Sequence, residues 1–402
     1  MSFRSKVVWS EGLFLRPQHF QQQDRYLEGL IEARSAGLRP YAWGFQDVRV
    51  DQDLLAVGKL AIQRARGVFP DGTPFAMPDE DELPAPIDID ENCRDQVAYL
   101  CTPVRRPGAN EVEADQDSLA RFGVDEVEVT DATEYTEQTA PMQIGRLRTR
   151  LLLGSEDRSD YQSLGFAHVV EARADKGAML QADFMPSCLD IRAAPRLAGF
   201  LNELRGMLDQ HAEALAARLA ASGTGGVAGI VDFLKLQAYN RYLPLVRHLS
   251  NLPDLHPEEV YRHFAVMSGE FSTLASSGGR APEFEEYRHD QLRESFAPVI
   301  ASLRGAFAAP DTGNVVAIPL EEKRFGIHVG IMPDTSLVGS ANFVFAVKAD
   351  LPVEDVRSNV PRQVKIGPVE KIRDLVNLAL PGITLNSMPV APRQIPYHAG
   401  FC

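Results

Sequence analysis

Apolar residues recur every third or fourth position through the middle of the chain, and every second position on either side of it. Leu197, Leu201, Leu204, Leu208, His211 and Leu215 step by 4, 3, 4, 3 and 4. Val260, Phe264, Met267, Phe271 and Leu274 follow the same rule, as do Leu292, Phe296, Val299 and Leu303. Such spacing predicts helices packed along a bundle or coiled-coil seam. Ile230 to Leu249 adds another helix, disturbed by Pro244. The first of these helices, about 27 residues at ~1.5 Å each, is roughly 40 Å long, the length of a spacer between two ends. Breaks rich in Gly and Ser, at 222–229 and 276–279, join the helices.

From about Val48 to Phe184 the period is two. Val97, Tyr99 and Cys101 alternate, as do Leu147, Thr149, Leu151 and Leu153, then Leu164, Phe166, His168 and Val170. This is the pattern of half-buried strands. In "FPDGTPF", Phe69 to Phe75, Pro70 presets φ and Gly72 supplies a positive φ, which predicts a turn. Pro78 to Asp95 is acidic and proline-rich and reads as a solvated loop. Short strands separated by turns predict a β-sandwich. Beyond Gly313, Phe325, Ile327, Val329 and Ile331 alternate, then Phe343, Phe345 and Val347. Pro368 to Leu380 reads as a helix stopped by "LPGIT", with a strand after it. Seven prolines between Pro352 and Pro396 make this small α+β region loop-rich. The expected chain is thus multidomain α+β: a lead-in helix and β-sandwich over 1–190, a helical bundle over 191–312 and a small α+β domain over 313–402.

The first residues stand apart. "VVWSEGLFLRPQHFQQQ", Val7 to Gln23, crowds Trp9, Leu13, Phe14, Leu15 and Phe20 together. Pro17 suits a first helical position, Phe20, Leu27, Leu30 and Ile31 recur at helical spacing, and Gly37 suits the end, so Pro17 to Ala36 is expected as a helix. Ser10, Glu11, Gly12 and Arg16 interrupt the run a secretory signal needs. No stretch approaches the ~18 apolar residues of a membrane span, which leaves the expectation of a soluble, cytoplasmic protein.

Composition narrows the functional classes. With 402 residues and 45% apolar content, two or three domains with real cores are expected. A net charge of −14 with no basic cluster argues against nucleic acid. Cys93, Cys101, Cys188 and Cys402 are scattered without a C-x-x-C pair and read as thiols in a reducing compartment. Gly223, Gly225, Gly226 and Gly229 follow a helix where a dinucleotide site requires a strand, so they read as a linker. The nine histidines do not pair at metal spacing; Pro257 places a helix start between His256 and His263, leaving surface or cap histidines. His211 interrupts the leucines, either as a partly exposed residue near a helix end or as a polar register key in an oligomer. No cofactor is implied. No G-x-S-x-G, H-E-x-x-H or P-loop is present, and nothing near His19, Asp24 or Glu11 supplies a nucleophile, so no enzyme is expected.

"VVWSEGLFLRPQHFQQQDRY" (Val7 to Tyr26), together with "KIGPVEKIRDLVNLALPGITL" and "PVAPRQIPYHAGF" near the end, resembles the TssK family of type VI secretion baseplate proteins. The resemblance implies a cytoplasmic homotrimeric adaptor without enzymatic activity. Its N-terminal shoulder docks on the TssF–TssG wedge, its neck holds the trimer, and its head reaches the cytoplasmic parts of TssL and TssM at the inner membrane. The family residues present here are Trp9, Glu11, Gly12, Leu15, Pro17, Gln18, His19 and Phe20, which anchor the lead-in either to its own shoulder or to a partner. The neck is expected on Leu197, Leu201, Leu204, Leu208, His211 and Leu215. Members of the family continue past "YHAGF" whereas this sequence stops at Cys402; either the head lacks its last elements or the end differs. The competing layout is a phage-tail-like receptor or glycan binder, which predicts aromatic-lined pockets at the distal end, yet the C-terminal region lacks Trp and has one Tyr, Tyr397.

Overall fold

The computed structural model describes residues 5–115, 118–131, 133, 139–173, 177–222, 227–275, 279–308, 318–332, 337–347 and 353–386. In chain order the elements are α1 (Pro17–Ala36), β1 (Gly44–Val50), α2 (Gln52–Ala56), β2 (Lys59–Leu60), β3 (Ile62–Val68), β4 (Pro74–Met77) and β5 (Ile87–Asp88). Then come β6 (Arg94–Pro103), β7 (Val112–Glu113), β8 (Phe122–Thr130), β9 (Thr139–Leu147), β10 (Arg150–Leu153), β11 (Tyr161–Arg173) and β12 (Gly177–Leu180). Four long helices follow: α3 (Pro195–Ser222), α4 (Val227–Asn251), α5 (Pro257–Ala275) and α6 (Leu292–Ala308). Last are β13 (Leu320–Glu322), β14 (His328–Gly330), α7 (Leu337–Ser340), α8 (Val353–Gln363) and α9 (Ile372–Asn377). The chain divides into two compact units, Met1–Asp209 with Arg241–Phe307, and Gln210–Asn240 with Ala308–Cys402.

In the first unit the strands form small sheets ordered β1-β3-β4, β10-β6-β11-β12, β2-β5 and β7-β8-β9. All pairings are antiparallel except β7 with β8. The expected turn at Phe69 to Phe75 joins β3 to β4: Gly72 has φ +86°, and the Phe69 N–H donates to Thr73 O at 2.8 Å. Phe75 packs between Phe45 and Phe69, with ring centroids 5.8 and 4.8 Å away. Leu100, Leu164, Phe166 and Val169 are buried on β6 and β11. The alternation from Leu147 to Leu153 belongs to two strands. At Arg148 the backbone N–H turns to Arg121 O, 2.9 Å away, and the chain leaves the β8–β9 pair to join β6. The acidic loop from Pro78 contains one short strand, β5, because Ile87 finds Leu60 across the ladder.

The helices follow their heptad spacing. Within the first unit, α3, α4, α5 and α6 interlock through edge-on aromatic contacts: Phe200–Phe264 at 5.3 Å, Tyr242–Phe271 at 5.6 Å, Phe264–Phe296 at 6.2 Å and Phe271–Phe307 at 5.1 Å. Offset and edge-on geometries such as these are the favoured ones for aromatic pairs. Arg304 grips Glu203 through two nitrogens, and the Ser268 and Ser302 hydroxyls meet at 2.6 Å.

The second unit departs from its expected pattern. Only His328–Gly330 of the Phe325 to Ile331 alternation is a strand, preceded by one turn of 3-10 helix at Arg324–Gly326. Residues 341–347 adopt no regular element. The expected helix from Pro368 shrinks to α9, preceded by a single turn in which the Lys371 N–H donates to Pro368 O at 3.0 Å. Alternation specifies a strand only where a neighbouring strand takes its N–H and C=O groups, and β13–β14 is the one such pair described here. The strand expected near the end, the thiol of Cys402, and Gly223, Gly225 and Gly226 of the linker lie outside the described residues. Cys101 and Cys188 are buried and free, Cys93 half-buried. Burial pushes the Cys101 thiol up to about 11.

Candidate functional site

The N-terminal lead-in has no sheet to join, so local chemistry alone shapes it. Gly12 takes φ +79°, which an L side chain avoids, and the Leu13 N–H returns to Ser10 O at 3.2 Å. This turn brings Trp9 back over the start of α1, 6.3 Å from both the His19 and Phe20 rings. Pro17 stands at the first helical position. Arg16 and His19 close the helix end between them: the Arg16 N–H donates to His19 Nδ1 at 3.0 Å, and the His19 N–H donates to Arg16 O at 2.9 Å. His19 is therefore a capping group. Gln22 Nε2 donates to Ser5 O at 2.8 Å and holds the lead-in along the helix. Of the family residues, Trp9, Arg16-facing His19 and Phe20 converge; Glu11, Leu15 and Gln18 are exposed.

α1 is arranged inside out. Its polar side faces the domain: Glu28 pairs with Arg105, Arg25 lies 3.9 Å from Glu111, and Glu32 lies over Gly72 of the β3–β4 turn. Gly29 is its only buried residue. The large apolar side chains point away: Phe14 is 85% exposed and Ile31 64%, and Leu15, Phe20, Leu27, Leu30 and Leu38 are exposed too. Exposed ion pairs contribute about 0–1 kcal/mol each. Covering a Leu or Phe is worth about 1.5–3 kcal/mol. The strong driving force of this helix is thus left unspent on its outer side. An open pocket of about 460 Å³, lined by Leu15, Arg16, Pro17, Phe20, Gln21 and Asp24, lies on that side.

The leucine line on α3 turns inward. Leu197, Leu204 and Leu208 are fully buried, and Leu201 and Leu215 nearly so, within a single chain. Leu197, Leu201, Leu204 and Leu208 are consumed by this chain's own bundle and have no surface left for a second copy. His211 is half-buried, 5.8 Å from the Tyr239 ring. Among the described residues of α3–α6, the large apolar groups that stay exposed are Ile230, Phe233, Leu234 and Val266.

Sequence reasoning missed two buried polar clusters. Arg121 donates to Thr73 Oγ1 at 2.6 Å and Pro103 O at 2.7 Å and pairs with Asp71 at 2.7 Å, tying the β3–β4 turn to the end of β6. His256 and His289 stack 5.2 Å apart with rings 5° from parallel. Nε2–H of His256 donates to Tyr41 O at 3.0 Å, and Nε2–H of His289 donates to Trp43 O at 2.8 Å. The expected cap role of His256 is real, since its Nδ1 accepts the Glu258 N–H at 3.2 Å, but the ring is buried. Among the described residues no three of His, Cys, Asp or Glu are placed to hold a metal ion, and no helix is long and apolar enough to cross a membrane.

Residues 19–402 match the family described as "Bacterial Type VI secretion, VC_A0110, EvfL, ImpJ, VasE". The chain is 48% identical to the type VI secretion system baseplate component TssK1 of Pseudomonas aeruginosa, over all of this chain and 90% of that protein. It superposes on a crystal structure of TssK with a TM-score of 0.74 and 38% identity, covering 99% of this chain and 90% of that one. A TssK solved in a TssK–TssF–TssG baseplate subcomplex shares the fold, with a TM-score of 0.67 and 23% identity over 76% of this chain and 99% of that one. A family match over most of the chain and near-half identity across its whole length, on the same fold, place this chain in the TssK family of type VI secretion baseplate components.

Proposed function

We propose that the chain is a cytoplasmic structural adaptor with two binding ends and no chemistry of its own. Its N-terminal shoulder, 1–190, with the small sheets stacked as a sandwich, docks on the TssF–TssG wedge. Its head, 313–402, reaches the cytoplasmic domains of TssL and TssM at the inner membrane. A neck over 191–312 joins three copies through surfaces such as Ile230, Phe233, Leu234 and Val266, since the α3 leucines are already covered. A relative solved in a TssK–TssF–TssG baseplate subcomplex supports the first contact.

The observation that carries the reading is α1, whose polar side faces its own domain and whose apolar side is left open. A monomer gains nothing from this arrangement; a component of a larger assembly gains a prepared interface core. The test uses the full-length protein on a sensor surface, with purified TssF–TssG and, separately, the TssL and TssM cytoplasmic domains. Phe20→Ser with Ile31→Ser is expected to weaken TssF–TssG binding by about 30-fold or more, the size of a hot-spot loss. TssL and TssM binding is expected to stay unchanged. Equal binding of wild type and variant to TssF–TssG would remove α1 from the docking surface.

A further inference from the structure

β8 and β9 form an arm. Nine residue pairs run in register from Phe122↔Leu147 to Thr130↔Thr139, a ribbon about 30 Å long at ~3.4 Å per residue. Its third strand, β7, pairs only at the foot, Val112↔Phe122 and Glu113↔Gly123. The foot is held firmly: Arg146 reaches Asp125 at 3.1 Å and Glu80 O at 3.0 Å, and Arg148 donates to Ser118 O at 3.1 Å. Above the foot the arm is exposed except for the half-buried Val127 and Ile144. Leu147 is the only buried residue in either strand.

The two faces of the ribbon differ. Directly opposite residues share a face. The pairs Val127↔Met142 and Val129↔Ala140, with Ile144 next to them opposite Asp125, make one side largely apolar. Glu126↔Gln143 and Glu128↔Pro141 make the other side acidic. Met142 is 51% exposed, and Val129 and Ala140 are exposed as well. Asp125, Glu126, Glu128 and Asp131 are acidic, and no lysine or arginine lies between Phe122 and Gly145. A two-stranded ribbon of this length is marginal in water and is stabilised when its apolar face is packed. Pro141 supplies no N–H and blunts the β9 edge against an added strand, which leaves the face as the place of contact.

We infer that this arm is a docking element for a second protein, one that meets the apolar face with apolar side chains and the acidic face with lysine or arginine. The acidic face selects that chemistry. Arm-to-arm pairing of two copies brings together two ribbons that are each net acidic, and an anionic membrane or nucleic acid is repelled. The inference rests on the adaptor reading, because the probe used is the TssF–TssG complex, but its residues are separate from those of α1.

The experiment compares full-length wild type with Glu126→Lys/Glu128→Lys and with Val127→Ser/Met142→Ser. Each binds purified TssF–TssG at about 50 and about 300 mM NaCl, conditions that change screening of exposed charges. Thermal unfolding and light scattering on each protein serve as controls. Wild-type affinity should fall with salt. The charge reversal should weaken binding by about 10-fold or more and flatten its salt dependence, while the serine pair should weaken it with the salt dependence kept. Variants that bind as wild type overturn the inference while leaving the adaptor reading intact. A change in particle size with unchanged TssF–TssG affinity also overturns it, by giving the arm to a second copy. Failure of wild type itself to bind removes the adaptor reading, and this inference with it.

Discussion

His256 and His289 hold the segment between α1 and β1 to the helices by donating to the carbonyls of Tyr41 and Trp43. The other ring nitrogens accept, from the Glu258 N–H and the Tyr287 hydroxyl. Neither ring has a free nitrogen for a second proton. Burial lowers both pKa values, that of His289 to about 4. The unfolded chain, with ordinary histidines near 6.5, then binds more protons wherever the pH lies between those values. Stability is full above about pH 6.5 and falls as pH drops toward 4. The His289 contribution alone amounts to about 2 kcal/mol by pH 5. Urea unfolding at pH 7.5 and pH 5 should show a lower midpoint at pH 5, and His289→Gln should reduce the difference. A pH-independent midpoint would contradict the buried neutral pair. This cluster was not legible in the sequence because its members are 215 and 246 residues from their carbonyl partners. Arg121 is another such case. An arginine is normally read as surface, and only the fold supplies Asp71, Thr73 and Pro103 around it. Arg121→Ala should cost about 3 kcal/mol, read from the same unfolding curves, since it leaves those acceptors without their donor.

Among the elements, the long helices were legible and the short ones were not. Pro17 and Gly37 bracket α1, and the heptad steps place α3, α5 and α6, because each signal repeats over several turns. What the pattern withheld was the partner. Leucines at seam spacing look the same whether the facing helix belongs to this chain or another, and here Leu204 is buried by its own bundle. Leu204→Asp should therefore lower the stability of the chain itself by several kcal/mol. Circular dichroism should show loss of folded helix, whereas a folded but dissociated protein would contradict the intrachain assignment. α1 carries the opposite expectation. Phe20 and Ile31 are exposed, so their serine variants should change stability by less than about 1 kcal/mol. The strand from Leu147 to Leu153 was misread because alternation does not record a change of sheet. The C-terminal alternations lacked strands to pair with.

For the whole molecule, the sequence carries more of its assembly than of its interior. Trp9, His19 and Phe20 cluster at the start of α1, and Trp9 and Phe20 contribute little to the core. With a net charge of −14, the surface favours partners of opposite sign at long range, a term that speeds encounter and weakens with salt. On the proposed reading the apolar side of α1 supplies the short-range part. The most direct test of the account is amide hydrogen exchange on the full-length protein, alone and saturated with purified TssF–TssG. The account predicts slower exchange on binding over residues 5–38, where apolar groups become covered, with the buried α3–α6 bundle unchanged. Complex formation that leaves 5–38 exchanging as in the free protein would contradict it.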